Sequence, residues 1–133
     1  MRRNKISLDI VQQVFNNAIK RRDGRCMVKD YEFCCGQLEC SHFYTVGSSS
    51  ALRFYPNNAY AQCHKHHWNH HNKDKRTYVE YMQNNHLSDL EYMRIARQRY
   101  IKYSDELKAE IIRLCESDKL EELAELIEKE IGI

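Results

Sequence analysis

The chain has 133 residues, 30% of them charged, with a mean hydropathy of −0.78 and a net charge of only +2. That length suits one domain, or one small domain with a helical extension, and so lean an apolar content gives a structural metal something to add. No run of about 18 apolar residues is present, and the basic start MRRNKISLDIVQQVF lacks the apolar stretch and cleavage site of a secretory leader; a membrane span is excluded and the reading is cytoplasmic.

The small net charge hides a division. Residues 104–133 carry four basic and ten acidic side chains, a balance of −6, which leaves the remainder at +8. A basic body with an acidic tail suits a module that binds a polyanion and turns its tail elsewhere.

In chain order, residues 7–22 read as a helix capped by Ser7, with Ile10, Val11, Val14, Phe15, Ala18 and Ile19 in one stripe and Asp23-Gly24 as its stop. Lys20, Arg21, Arg22 and Arg25 gather at its C-terminal end, where they suit the helix dipole and equally suit phosphate contacts. From Cys26 to Phe54 the helical period disappears. Tyr31, Phe33, Phe43, Tyr44 and Phe54 favour strands, and Gly47-Ser48-Ser49-Ser50 reads as a flexible loop between two short ones, the first over 38–43 and the second bearing Arg53. Pro56-Asn57-Asn58 marks a turn, and a histidine-rich helix is expected over about 64–73.

Beyond Lys75 the pattern is helical throughout. Tyr78, Tyr81 and Met82 share a face, and Ser88 with Glu91 forms a capping box for a helix carrying Leu90, Met93, Ile95, Ala96 and Tyr100. Ser104 opens a helix with Leu107, Ile111, Leu114 and Cys115; Asp118 opens the last, with Leu120, Leu123, Ala124, Ile127 and Ile131. The expected class is α+β, with residues 1–76 holding the N-terminal helix and a metal-bearing core and residues 77–133 forming a helical extension.

Six cysteines accompany seven histidines, six of which lie between His42 and His71. In a reduced compartment that mixture argues for metal over disulfides. Cys63-x2-His66 has the spacing of a zinc knuckle, whose tight turn aims two ligands at one tetrahedral ion. Cys26 and Cys35 are read as the other pair around a structural zinc, with Cys34 or Cys40 able to replace a member; the bland alternative is buried free thiols. Cys115 lies on an apolar helical stripe and reads as core. His67-x3-His71 places two imidazoles on one face of a helix, where they can share a second ion. On the first strand, Glu39 and Ser41 point to one side and Cys40 and His42 to the other unless a bulge re-aims them.

The segments Glu39-Cys40-Ser41-His42-Phe43, Leu52-Arg53-Phe54, Asn58 and Gln62-Cys63-x-x-His66-His67 resemble the HNH, or ββα-metal, nucleases, and are nearest the phage recombination endonucleases of the NinG/Rap type. The resemblance runs from about Arg22 to Tyr81. It implies a small ββα-metal core with a zinc knuckle and a metal-dependent DNA endonuclease. In that core His42 is the general base, Asn58 braces the loop facing it, and His67 binds the catalytic ion with Glu39 or His71. It further implies Mg²⁺ or Mn²⁺ as that ion, Zn²⁺ in the knuckle, and branched recombination intermediates such as Holliday junctions or D-loops as substrate. A phage-encoded member would work in the host cytoplasm, and the C-terminal helices offer a homodimer interface. Arg21, Arg22, Arg25 and Arg53 are the expected phosphate contacts. The sequence departs from the family in a stretched first cysteine pair, in His66 where a cysteine is usual, and in Ser41 where many members carry an acid. Three other readings compete. One is a non-catalytic zinc module that binds DNA, another a less selective HNH nicking nuclease, and the third an interaction protein working through residues 77–133.

Overall fold

The computed structural model describes residues 5–28 and 33–133; the strand expectation at Tyr31 lies outside them. Helix α1 spans Leu8–Asp23. Ser7 Oγ accepts from Asp9 N at 3.1 Å, and Gly24, at φ 69°, closes the far end by donating to the Lys20 carbonyl. Val11, Phe15, Ala18 and Ile19 are buried along its length, whereas Ile10 is exposed. Strands β1 (Leu38–His42) and β2 (Ala59–Cys63) pair antiparallel, with Leu38 opposite Cys63 and His42 opposite Ala59. All of β2 is buried, because α1 packs on the hairpin from one side and α2 (His64–Asn72) and α3 (Arg76–Asn85) close around it.

The second strand is not where the apolar run Leu52-Arg53-Phe54 suggested. Residues 51–54 form a turn, and β2 begins after a 3₁₀ turn over Pro56–Asn58. Side-chain bonds replace the ladder there. Ser49 Oγ accepts from Leu52 N at 3.3 Å and the Asn58 amide donates to the Leu52 carbonyl at 3.2 Å, so the segment curls and Arg53 sits in a loop.

Helices α4 (Leu87–Ala96), α5 (Asp105–Glu116) and α6 (Leu120–Ile131) complete the fold. Among the described residues the architecture is therefore α+β, with six α-helices and a two-stranded antiparallel sheet. Helix α5 lies along α1, and Arg21 ties the two regions together through Asp118 (2.9 Å) and the Cys115 carbonyl (2.9 Å). Tyr55 donates to Glu128 on α6 at 2.6 Å. The buried apolar residues of 77–133, Cys115 among them, belong to the same core cluster as those of α1 and the hairpin.

Two helix starts differ from the sequence expectation. Helix α4 begins before Ser88 and no capping box forms, because His86 ends α3 and begins α4 while stacking on Tyr60 at 4.6 Å. Ile95 and Tyr100, expected on its buried face, are exposed. Asp118 does not cap α6; it takes the left-handed conformation at φ 54° and turns its carboxylate to Arg21. No helix among the described residues is long and apolar enough to cross a membrane.

Candidate metal centre and hairpin site

Cys63 ends β2 and caps α2, its sulfur accepting from the His66 amide. That turn returns His66 Nδ1 to within 3.0 Å of the Cys63 sulfur. Cys26, just past α1, and Cys34 bring their sulfurs to 3.5 and 3.7 Å from the same nitrogen. The four ligand atoms lie within 4.8 Å of one another, a Cys₃His cluster that could hold an ion such as zinc. Zinc bonds of about 2.0–2.3 Å give tetrahedral edges of roughly 3.6 Å, which the observed separations bracket.

Of two consecutive cysteines, Cys34 enters the cluster and Cys35 does not. The Cys35 carbonyl accepts from Lys65 N at 3.0 Å, so its backbone serves the turn; both residues are exposed, and the Cys34 sulfur is the one that reaches the other three ligand atoms. Cys40 also stands outside the cluster, a half-buried thiol whose burial pushes its pKa up to about 12. Within the cluster, burial raises Cys26 to about 12. At Cys63 burial works the same way, but hydrogen bonds from the His66 and Cys35 amides outweigh it and bring the thiol down to about 7. Cys63 is thus more ready to ionise than Cys26, and thiolate is the form that binds metal.

The second group gathers on the exposed side of α2. Glu39 on β1 accepts from His67 Nδ1 at 2.9 Å and from His64 Nδ1 at 3.0 Å. Although burial opposes it, these two hydrogen bonds hold the Glu39 carboxyl below its ordinary range. With Nδ1 donating, His67 keeps its lone pair on Nε2, the arrangement in which a carboxylate orients a metal-binding imidazole. Alternatively an ion could replace that proton between the two atoms, since 2.9 Å also fits the edge of an octahedron with bonds of about 2.1 Å. One carboxylate and one imidazole with waters suits Mg²⁺ or Mn²⁺. His71 stands ring to ring with His67 at 4.8 Å. Among the described residues, Glu39, His67 and His71 do not form a three-donor cluster as tight as the Cys₃His group.

His42 closes β1, its ring 5.6 Å from that of Phe15. Its Nε2 donates to the Arg53 carbonyl at 3.0 Å, which leaves the lone pair on Nδ1. Burial, only partly offset by that bond and assisted by the nearness of His67, Arg53 and His71, lowers its pKa to about 4. The ring is therefore neutral at physiological pH. Asn58, fully buried, holds the loop that supplies this carbonyl. Its Oδ1 accepts from Tyr44 N at 2.9 Å and its Nδ2 donates to the carbonyls of Tyr44 (3.0 Å) and Leu52 (3.2 Å). Asn58→Ala strands these buried groups together, so a loss of about 2–4 kcal/mol is expected in a urea melt. A loss below about 0.5 kcal/mol would mean the loop holds its own shape.

His70, buried beside Tyr78, is likewise lowered, to about 3, chiefly by burial. Both histidines are depressed in the folded chain, so between pH 6.5 and 4 the unfolded chain binds more protons. Stability is then full above pH 6.5 and falls as pH drops through that window, by about 3 kcal/mol for His42 alone. His42→Gln should flatten part of this dependence in melts across pH 4–7; an unchanged slope would assign the acid sensitivity elsewhere.

The expected phosphate contacts divide. Arg22 is committed to the fold, donating to the carbonyls of Pro56 (3.0 Å) and Ala59 (2.7 Å), pairing with Asp23 and lying over Tyr60. Arg21 is held by Asp118 and the Cys115 carbonyl. Arg53 donates to Gln12 Oε1 at 2.8 Å, joining α1 to the His42 loop. Arg25 is exposed. Two contributors, His64 and Gln12, were not among the residues expected from the sequence, nor was Lys75, which donates to the Phe43 carbonyl beside His42. The i, i+3 spacing of His64 and His67 signals the first, since both then reach one carboxylate; no local pattern signals the other two.

Comparison with protein-family models, curated proteins and solved structures gave no match.

Proposed function

We propose that the chain is a metal-dependent DNA endonuclease of the HNH type, with a structural zinc in the Cys₃His cluster. The observation that carries this reading is the arrangement around the hairpin. A neutral His42 on β1 is fixed through Nε2 to a carbonyl, buried Asn58 braces the loop bearing that carbonyl, and Glu39 and His67 pair across β1 and α2. The fold accounts for Asn58 and for the His42 bond, but it does not require the half-buried Glu39–His67 pair beside them.

In this mechanism His42 Nδ1 takes a proton from a water that attacks phosphorus, and the bond from phosphorus to the 3′ oxygen breaks. A divalent ion held by Glu39 and His67 would neutralise charge on the phosphoryl and leaving oxygens. The Arg53 carbonyl stabilises the imidazolium that forms, because Nε2 remains its donor. A base at about 4 is weak, and a phosphate drawn close would raise it towards neutrality by favouring the charged ring. Branched DNA is the substrate class the family resemblance brings.

A second reading has its own observation. His42 is only 8% exposed, as an ordinary core histidine would be, and this favours a zinc-organised module that binds DNA without cutting it. The two separate on a labelled four-way junction, linear duplex and single strand, incubated with Mg²⁺ or Mn²⁺. Cutting by the wild type that is lost in His42→Ala supports the nuclease, and preference for the junction supports branched DNA. Intact DNA with junction binding retained supports the module. EDTA is a poor control here, because it would also draw on the Cys₃His cluster.

A further inference from the structure

Beyond His42 the chain turns under a group of cations that the proposed chemistry does not use. Lys75, at the start of α3, donates to the Phe43 carbonyl, and its ammonium lies 4.2 Å from the Phe43 ring and 5.7 Å from that of Tyr44. Arg97, just past α4, places its guanidinium 5.2 Å from the same Tyr44 ring and is exposed. Tyr44 itself is gripped through both backbone atoms by Asn58, two residues from His42. Among the described residues neither Lys75 nor Arg97 forms an ion pair, and the neighbouring acid, Asp74, is taken by Arg76 at 2.8 and 3.1 Å.

These cations also feel one another. Burial and then Arg97 depress Lys75, and Lys75 in turn contributes to the lowering of His71. Like charges held on one rigid frame without a carboxylate raise the energy of the free protein, and a polyanion laid across them relieves it. Contact with the Tyr44 ring restrains both side chains, which reduces what ordering them on a ligand would cost.

We propose that Lys75 and Arg97, set on Tyr44, form a clamp for the phosphate backbone of a nucleic acid strand beside His42. The clamp deepens the nuclease reading but does not require that cutting occurs. Its experiment is binding, in the His42→Gln protein without added magnesium or manganese, of a labelled duplex and a labelled four-way junction over a range of salt. Lys75→Ala with Arg97→Ala should weaken both probes about 10- to 100-fold at low salt. The same pair should flatten the slope of log K against log salt by roughly 0.9 for each phosphate that is no longer neutralised. Lys75→Arg with Arg97→Lys should restore most of the slope. Arg97→Glu, at an exposed position, guards against a folding artefact and should weaken binding on its own.

Affinity and slope unchanged in the double variant would overturn the clamp, as would absence of binding by the parent protein. If the wild type cuts DNA while the double variant binds normally, the clamp fails and the nuclease stands. If nothing is cut yet the slope falls as stated, the clamp stands and the nuclease fails.

Discussion

Replacing His42 is expected to lower metal-dependent cleavage about 10²- to 10⁴-fold, the usual loss when a positioned general base is removed. Two substitutions separate chemistry from folding. His42→Ala leaves the Arg53 carbonyl without its donor and opens space against Phe15, so some loss of stability accompanies it. His42→Gln keeps a donor in reach of that carbonyl but cannot accept and release the proton. The expected result is therefore a folded, DNA-binding His42→Gln protein that does not cut. A His42→Gln protein that cuts at the wild-type rate would remove His42 from the mechanism. The pH profile supplies an independent reading. With the free ring at about 4, kcat/KM should hold on acidification until well below the ordinary histidine range, whereas kcat, which reports the DNA-bound base, should fall nearer neutrality.

The second large effect concerns the Cys₃His cluster. Protein purified without chelator should carry one zinc per chain by elemental analysis. Cys63→Ser and Cys34→Ser should abolish it, while Cys35→Ser keeps it. The cost should be severe. Structural zinc contributes on the order of 10 kcal/mol in zinc-finger peptides, comparable to the roughly 5–15 kcal/mol that hold a whole domain folded. Three of the ligands sit at the junctions of α1, the hairpin and α2, so their release loosens the hairpin as well as the knuckle. Loss of a cooperative melt in Cys63→Ser is the expected outcome. A metal-free preparation that melts like the wild type would leave these residues as buried thiols.

Local chemistry was legible where it decides structure alone. Ser7 and Gly24 bound α1 because a cap and a left-handed stop act within a few residues. Cys63-x2-His66 could be read as a ligand pair because one turn imposes the geometry. The choice between Cys34 and Cys35 could not, since neighbouring side chains point apart and only the Cys35–Lys65 backbone bond says which turns inward. Leu52-Arg53-Phe54 has the composition of a strand, yet Ser49 and Asn58 offer its backbone better partners than a neighbouring strand does. At Ser88 and Asp118 local capping preference lost to contacts formed at a distance, His86 on Tyr60 and Arg21 on Asp118. The hairpin site was legible as an order of residues, but Gln12, 30 positions before His42, joins it only through the packing of α1.

His66 and His67 are consecutive on α2, one aimed into the Cys₃His cluster and the other at Glu39. Neighbours on a helix are separated by a fixed rotation of about 100°, so whatever pins the first sets the azimuth of the second. With an ion bound, the Cys₃His cluster would therefore act as an indexing pin for the Glu39–His67 pair. Exchange of zinc for a larger ion of similar affinity would lengthen the bonds at His66 by tenths of an ångström, turn α2 slightly and misalign His67, with the fold and the hairpin histidine left intact.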